Sequence, residues 1–327
     1  MKKLFTVLLC LLCAFASEAA SIYDNPDTIF VARDGTGQFR TVGEAVEVCR
    51  AFMEYHKVIY VKNGTYKEKL VIPSWLTNIE ICGESKEGTV ITYDDHANIR
   101  LPGTDKPMGT FRTYTVKVEG SDITFKNITI ENNAARLGQA VAIHTEGDRI
   151  VFINCRLSGN QDTVYTGVGG TRLYFKDCYI EGTTDFIFGP STAWFENCDI
   201  HSKANSYVTA ASTPQDVPYG YVFNRCRLTA ADGITKVYLG RPWRPYAYTL
   251  FMNCELGSHI LPAGWHNWGK TSNEQTARYM EYGNTGAGAA DGKRVPWSRQ
   301  LTTKEAAKIT PAEVFRMDTS WLPAEAK

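Results

Sequence analysis

Six short segments of the chain share one pattern of apolar and polar positions: a phenylalanine, then a cysteine three residues later, then a leucine or isoleucine two residues beyond. They begin at Phe125, Phe152, Phe175, Phe195, Phe223 and Phe251, and the first has Ile128 in place of the cysteine. Successive phenylalanines are 27, 23, 20, 28 and 28 residues apart, as in one repeated supersecondary unit with loops of varying length. Apolar residues two apart predict a short strand in each copy, and no long helical stretch separates the copies. The pattern predicts an all-β solenoid, a right-handed single-stranded parallel β-helix.

Short capping helices are predicted on either side of the repeats. Strand-like runs at 58–61, 79–82 and 90–93 follow the first of these helices and precede the repeats. A capping box at residues 41–44 opens a helix. The apolar side of this helix consists of Val42, Ala45, Val46 and Cys49. Another helix is predicted from Thr302 or Thr303 through Lys308, and Pro311 begins a further turn of helix. We expect the C-terminal helices to cover the open end of the coil stack.

Two aspartates occupy one position in adjacent copies of the repeat. Asp162 follows Cys155 by seven residues, and Asp185 follows Cys178 by seven residues. Stacked strands lie about 4.7 to 4.9 Å apart, so residues at matching positions of consecutive coils become neighbours. An aspartate after a strand is more often a turn residue that binds local backbone amides. The remaining coils differ at this position, where they have Asn205, Gly233 and Leu261. The two aspartates are therefore confined to two adjacent coils and are not part of a repeated ladder, which favours a functional role.

Opposite charges balance over the 327 residues, with 35 Lys and Arg against 35 Asp and Glu. This balance gives no basic field that would favour binding to nucleic acid. No Pro-, Gly- or Ser-rich linker divides residues 20–327, so we expect one elongated domain. A monomer is the default expectation for its assembly.

The first residues are typical of a bacterial-type secretory signal. Lys2 and Lys3 precede an apolar run over 4–16, and small residues follow, with cleavage expected after about Ala19. We therefore predict a signal peptide at 1–19 and export to the periplasm or the medium. The apolar run is too short to span a membrane, so no membrane association is expected after cleavage. An uncleaved anchor, or a lipid at Cys10 or Cys13, is the alternative.

The remaining seven cysteines indicate packing in the core. An odd number leaves at least one free thiol, and five of the seven share the inward position of the repeat, where cysteine acts as a small apolar residue. These five are Cys155, Cys178, Cys198, Cys226 and Cys254. No CxxC pair occurs among these seven cysteines and the six histidines are scattered, so we predict no metal site and no cofactor.

An ordered series of motifs covers nearly all of the mature chain. The series comprises Gly64-Thr65-Tyr66-Lys67-Glu68, Gln139-Ala140-Val141-Ala142, Gly159-Asn160-Gln161-Asp162-Thr163, Asp185-Phe186-Ile187-Phe188-Gly189, Leu239-Gly240-Arg241-Pro242-Trp243, Pro262-Ala263-Gly264-Trp265 and Glu281-Tyr282-Gly283-Asn284-Thr285-Gly286. In these motifs the chain resembles the pectin methylesterase (pectinesterase) family of carbohydrate esterases. The resemblance implies the parallel β-helix that the repeat indicates independently. It also implies hydrolysis of the C6 methyl esters of homogalacturonan to pectate and methanol.

The resemblance implies a role for each residue of the site. Asp185 would attack the C6 carbonyl and form an acyl-enzyme, held ionised by a hydrogen bond from Arg241. Asp162 would protonate the departing methanol and then activate water, because two close carboxylates tend to share one proton. Gln139 and Gln161 would donate hydrogen bonds to the developing oxyanion.

Four aromatic residues are predicted to contact methyl-esterified pectin. The resemblance puts Trp243 and Trp265 in the cleft, where flat rings stack on sugar faces. Phe188 and Tyr66 are further candidates, although large aromatic residues near a β-helix are more often packing residues.

The sequence leaves other functional classes to be weighed against an esterase. A glycoside hydrolase also uses paired carboxylates, about 5 to 5.5 Å apart in retaining enzymes, but it has no carbonyl oxyanion for paired amides to bind. A polysaccharide lyase would need a calcium site built from several carboxylates. A non-catalytic polysaccharide-binding solenoid would release no methanol. No Gly-x-Ser-x-Gly sequence occurs, which excludes the usual serine esterase.

Overall fold

A computed structural model describes residues 28–289 and 293–326. The predicted signal peptide, 1–19, lies outside the described residues. The strands within them are β1 (Ile29–Val31), β2 (Lys57–Val61), β3 (Gly64–Lys67), β4 (Leu70–Ile72), β5 (Thr77–Gly83), β6 (Thr89–Tyr93), β7 (Val116–Val118), β8 (Ser121–Lys126), β9 (Thr129–Asn132), β10 (Ile143–Thr145), β11 (Ile150–Ile153), β12 (Arg156–Ser158), β13 (Val164–Thr166), β14 (Arg172–Lys176), β15 (Tyr179–Gly182), β16 (Ile187–Gly189), β17 (Thr192–Glu196), β18 (Asp199–Ser202), β19 (Tyr207–Ala211), β20 (Tyr221–Asn224), β21 (Arg227–Ala230), β22 (Tyr238–Gly240), β23 (Tyr248–Met252), β24 (Glu255–Leu256), β25 (Arg278–Tyr282) and β26 (Arg299–Gln300). The helices are α1 (Val42–Glu47), α2 (Ser272–Thr276), α3 (Thr303–Ala306) and α4 (Pro311–Val314), with 3-10 turns at Thr110–Arg112 and Ala324–Ala326.

The strands form three parallel sheets that wind around one core. The first sheet has eleven strands in the order β1-β2-β5-β8-β11-β14-β17-β20-β23-β25-β26, the second has the eight strands β3-β6-β9-β12-β15-β18-β21-β24, and the third has the seven strands β4-β7-β10-β13-β16-β19-β22. Each coil adds one strand to each sheet in turn, as β11, β12 and β13 do before β14 returns to the first sheet. The predicted parallel β-helix is therefore confirmed.

The repeated residues stack along the core. The rings of Phe125, Phe152, Phe175, Phe195, Phe223 and Phe251 lie nearly parallel, with successive centroids 5.1, 4.7, 4.5, 4.3 and 4.3 Å apart. The five cysteines of the repeat are buried free thiols, so their predicted packing role is confirmed. The Sγ atoms of Cys155, Cys178, Cys226 and Cys254 contact carbonyls of the preceding coil, as Cys155 does with Phe125 O at 3.4 Å.

The residue before each of these cysteines makes the corner between the first and second sheets. Asn154, Asp177 and Asn197 adopt left-handed φ angles of 50°, 54° and 52° there. Asn and Asp tolerate this conformation better than most residues, which explains their place in the repeat. Asn154 Nδ2 also donates to Asn127 Oδ1 of the preceding coil at 2.8 Å.

The N-terminal helix forms where it was predicted. α1 is capped by Thr41, whose side chain accepts from the Glu44 amide while the Glu44 carboxylate accepts from the Thr41 amide. Val42, Ala45 and Val46 are buried against the first coils.

The C-terminal helices begin as predicted, but they lie in a different place. α3 ends at Ala306 rather than continuing through Lys308. The expectation that they cover the open end of the stack is wrong. Ala306 and Val314 instead belong to a cluster on the outer face of the first sheet that includes Val151, Tyr174 and Trp194. Because the outer face of these strands is also apolar, it is stabilised by burial from water, and the C-terminal segment packs on it. No helix within the described ranges has the length and apolar character to cross a bilayer.

Candidate active site

The two aspartates lie opposite each other at the corner between the second and third sheets. Ser158 pairs with Glu181 before this corner, and Val164 pairs with Ile187 after it. Both pairings have an offset of 23 residues, so the same register brings Asp162 to Asp185. The predicted neighbourhood of the two aspartates is confirmed.

Both aspartates adopt the left-handed conformation, with φ of 69° at Asp162 and 49° at Asp185. Their backbone amides continue the ladder across the corner: Asp162 N donates to Thr184 O at 3.1 Å, and Asp185 N donates to Tyr207 O at 2.9 Å. The corner therefore turns sharply while its backbone groups stay paired. Non-glycine residues held in this conformation are common at functional sites.

Arg241 binds Asp185 through two parallel hydrogen bonds. Arg241 follows β22, and its Nε donates to Asp185 Oδ1 at 2.9 Å while its Nη2 donates to Oδ2 at 2.7 Å. The guanidinium lies between two rings, with Cζ 3.9 Å from the Tyr207 centroid and 3.7 Å from the Trp268 centroid. Bidentate pairing and stacking together fix both the position and the plane of the charge.

Gln139 and Gln161 reach the same cavity from adjacent coils. Their backbones are tied in place, since Ala97 N donates to Gln139 O at 2.8 Å and Ala140 N donates to Gln161 O at 3.0 Å. Among the described residues, neither side-chain amide has a hydrogen-bond partner. Both amides are therefore available to a bound group.

The two carboxyl groups differ in their electrostatic environment. Burial raises the pKa of Asp162 well above its usual range, and the Asp185 charge raises it further. Burial also raises the pKa of Asp185, but the hydrogen bonds and charge of Arg241 oppose that rise. Asp162 has no such ion pair, so the surroundings favour a proton on Asp162 over a proton on Asp185.

The cavity between these groups has a volume of about 200 Å³ and a mixed polar and aromatic lining. It is lined by Thr110, Phe111, Gln139, Gln161, Asp162, Asp185, Phe188, Ala210, Arg241, Trp243 and Trp268. All five residues predicted to carry chemistry therefore meet in one place. Phe188 and Trp243 are also there, with ring centroids 5.8 Å apart.

Comparison with known proteins decides the family. The pectinesterase family model matches residues 28–318. Pectinesterase 31 of Arabidopsis thaliana is 40% identical over 285 residues, which cover 84% of this chain and 88% of that protein. Against Brassica relatives named pectinesterase/pectinesterase inhibitor, the chain spans about half of their length, 49% and 50%.

Solved structures agree with this result. A pectin methylesterase from carrot has a TM-score of 0.83 and 33% identity, covering 91% of this chain and 95% of that one. A pectin methylesterase mutant in complex with a hexasaccharide has a TM-score of 0.77 and 30% identity, covering 88% and 96%. The chain belongs to the pectinesterase family. It is an enzyme of the carboxylic ester hydrolase class.

Two aromatic residues predicted as pectin contacts lie elsewhere in this pectinesterase. Trp265 is only 1% exposed, because its ring points into the coil and packs 4.4 Å from Tyr279. Tyr66 is 2% exposed near the N-terminal cap, where its hydroxyl donates to Lys62 O at 2.8 Å. Neither residue lines the cavity, so their prediction as substrate contacts is corrected to a packing role.

Sequence reasoning missed other lining residues of this pectinesterase. Trp268 lies three residues beyond Trp265, in a left-handed conformation with φ of 60°, and covers Arg241. Its proximity to the Pro262–Trp265 motif was the available signal. Phe111 belongs to a loop without a repeat pattern, so only the three-dimensional structure identifies it as a wall of the cavity.

The described residues contain no group of three or more His, Cys, Asp or Glu side chains arranged to bind a metal ion. The absence of a metal requirement stays a prediction for this pectinesterase.

Proposed function

We propose that this pectinesterase hydrolyses the C6 methyl esters of homogalacturonan, releasing methanol and pectate, with Asp185 as nucleophile. One observation carries the proposal: a buried aspartate held by a bidentate arginine shares a cavity with a second buried aspartate and two unpartnered glutamine amides. An attacking carboxylate, a proton donor and oxyanion donors are the groups that acyl transfer to a carboxylate requires.

In the first step, an Asp185 carboxylate oxygen attacks the ester carbonyl carbon, and the carbonyl electrons move onto its oxygen. The amides of Gln139 and Gln161 donate to this oxyanion, an interaction worth about 3 to 4 kcal/mol per donor in comparable sites. The tetrahedral intermediate then expels methoxide, which takes the proton from Asp162 and leaves as methanol. The product of this step is an anhydride between Asp185 and the substrate.

In the second step, Asp162 is ionised and accepts a proton from water. The resulting hydroxide attacks the substrate carbonyl carbon of the anhydride, and the bond to Asp185 breaks. Galacturonic acid is released and loses its proton to solvent to become the carboxylate, Asp185 regains its negative charge, and Asp162 keeps the proton that it took from water. Burial raises both pKa values, but the Asp185 charge raises that of Asp162 further, whereas the hydrogen bonds from Arg241 lower that of Asp185. This difference suits a proton donor at Asp162 and an ionised nucleophile at Asp185.

Aromatic side chains support binding of a polysaccharide. On the outer face of the third sheet, His144, Tyr165 and Phe188 occupy matching positions, with ring centroids 4.7 Å apart at each step. Trp243 and Trp268 continue this aromatic surface around the cavity. His144 and Phe188 are 3% and 4% exposed, so the partly exposed rings of Tyr165, Trp243 and Trp268 are the ones open to sugar faces. A solved relative is a complex with a hexasaccharide.

The wider setting of the reaction follows from the sequence. We infer that the signal peptide at 1–19 exports the protein and that the mature enzyme acts as a monomer. Membership in the pectinesterase family favours ester hydrolysis over glycoside hydrolysis, polysaccharide cleavage by a lyase, or non-catalytic binding.

Replacing Asp185 tests the proposal. The Asp185→Asn variant should release methanol from highly methylated pectin at least on the order of 10³-fold more slowly than wild type, while still binding pectin. Asp177→Asn is a matched control, because Asp177 is also left-handed, with φ of 54°, but lies at a corner outside the cavity. Activity of Asp185→Asn within tenfold of wild type would contradict the nucleophile role. New reducing or unsaturated ends from the wild type would contradict the esterase assignment.

A further inference from the structure

A buried asparagine joins three separate segments of chain beside the active site. Asn132, the last residue of β9, is 2% exposed. Its Nδ2 donates to Asp95 O at 2.9 Å, to Thr113 O at 2.9 Å and to Val141 O at 3.2 Å. An amide nitrogen has two hydrogens, so these three acceptors share them. Its Oδ1 accepts from Ala134 N at 3.0 Å, which completes its hydrogen bonding.

Two of these contacts hold the loop that carries Gln139. This loop runs over 133–142, between β9 and β10, and residues 135–137 are exposed. Asn132 binds Ala134 near its start and Val141 near its end. The position of Gln139 therefore depends on how firmly the two ends of the loop are held.

The other two contacts hold the segment that forms the opposite wall of the cavity. This segment runs over 94–115, between β6 and β7, and it includes the lining residues Thr110 and Phe111. Asn132 binds the carbonyls of Asp95 and Thr113, near the two ends of this segment.

Further hydrogen bonds connect the same elements. Thr113 is fully buried, and its Oγ1 accepts from Val141 N at 3.0 Å. Asn160 Nδ2 donates to Ala134 O at 2.9 Å, which ties the Gln139 loop to the corner that carries Gln161 and Asp162. The network thus reaches both proposed oxyanion donors, and Asn132 is its most connected side chain.

We propose that Asn132 is a positioning residue of the active site, which acts through the Gln139 loop to hold the Gln139 amide where the oxyanion forms. The inference rests on the proposed role of Gln139. A shift of about 1 Å in a catalytic group can lower a rate by about 100-fold, so loosening this loop should reduce kcat even though Asn132 does not touch the substrate.

Alanine variants provide a matched test. Asn132→Ala leaves three carbonyls without their shared donor. We expect kcat for methanol release to fall about 10-fold to 100-fold, with KM within about 3-fold of wild type. Asn284→Ala is the control, because the Asn284 side chain likewise joins several segments, but outside the cavity: its Nδ2 donates to Phe251 O and Glu281 Oε2, and its Oδ1 accepts from Cys254 N. The control should lose thermal stability and keep its kcat.

A double-mutant cycle distinguishes positioning from a general loss of stability. In a Gln139→Ala background, Asn132→Ala should change kcat by less than about 3-fold, because the group that it positions is absent. An equal loss of kcat in both backgrounds would overturn the proposal. A normal kcat for Asn132→Ala would also overturn it.

Two further outcomes keep the test decisive. If Asn132→Ala does not fold, the same cycle is run with Asn132→Asp, which keeps the shape of the side chain but cannot donate when ionised. If Gln139→Ala alone keeps wild-type activity, the oxyanion role of Gln139 fails and this inference fails with it. If Gln139→Ala loses activity but the cycle is additive, only the role of Asn132 is refuted.

Discussion

The ion pair between Arg241 and Asp185 gives the sharpest prediction for this pectinesterase. Asp185 is 4% exposed, and both of its carboxylate oxygens accept a hydrogen bond from one guanidinium. Arg241→Gln removes the charge and the fork of donors. Removing one partner of a buried ion pair costs about 3 to 5 kcal/mol if the other partner stays charged.

A carboxylate can escape this penalty by taking up a proton. A penalty of about 3 kcal/mol corresponds to a factor of about 100 or more in the equilibrium between the ionised and neutral forms. Burial already raises the pKa of Asp185 and Arg241 opposes that rise, so the pKa rises further without Arg241. Because Asp185 must be ionised to act as the proposed nucleophile, we expect activity to be lost as pH falls through this pKa. The acidic limb of the pH profile should therefore move to higher pH, with kcat about 100-fold lower on that limb.

Methanol release measured across a pH series tests this reasoning. Arg241→Lys should fall between wild type and Arg241→Gln, because a lysine keeps the charge but cannot form the bidentate pair. Arg225→Gln serves as the control, since that side chain is 72% exposed and only approaches Glu196, at 3.7 Å. An unshifted acidic limb in Arg241→Gln, or a kcat within tenfold of wild type, would refute the account of how Asp185 is kept ionised.

Three other predictions concern stability, metals and thiols. The raised pKa of Asp162 means that the folded state retains a proton that the unfolded chain loses, so the stability of the wild type falls as pH rises above the pKa of Asp162 in the unfolded chain. Asp162→Asn carries no such proton. This variant should lose turnover, and its Tm should increase relative to that of the wild type as pH increases. A pH-independent difference in Tm would contradict this. Methanol release should be unchanged after dialysis against a chelator. A loss of activity that is restored by added metal would contradict this prediction. In the native mature protein a thiol reagent should label partly exposed Cys82 at least about 100-fold faster than the five buried cysteines of the repeat, and equal rates would show that the core opens.

Much of the fold was predictable because the repeat is local and regular. Each coil places Phe and Cys at the same inward positions, and their stacking in the structure follows from that pattern alone. The capping box at Thr41 also operates over four residues, so it was visible in the sequence. The C-terminal helices were predicted, but their place was not, because the apolar outer face that they cover comes from distant strands.

The active site, like the fold, was predictable only in part. The equal offset of Asp162 and Asp185 from their cysteines predicted that they would meet, since no residue is inserted between the flanking strand pairs of the two coils. Trp265 and Tyr66 were misassigned because a motif does not reveal whether an aromatic ring points into a coil or out of it. Trp268 was missed because it lies three residues beyond the Pro262–Trp265 motif.

The sequence by itself determined the coil, its inward ladders and the meeting of the two aspartates, because each depends on a regular repeat and one constant spacing. Only the tertiary structure decided which rings line the cavity, how Arg241 is stacked, and how Asn132 ties Asp95, Thr113 and Val141 together. These contacts join segments whose loops have no common period. Their geometry therefore depends on the packing of coils against one another, and no spacing along the chain encodes it.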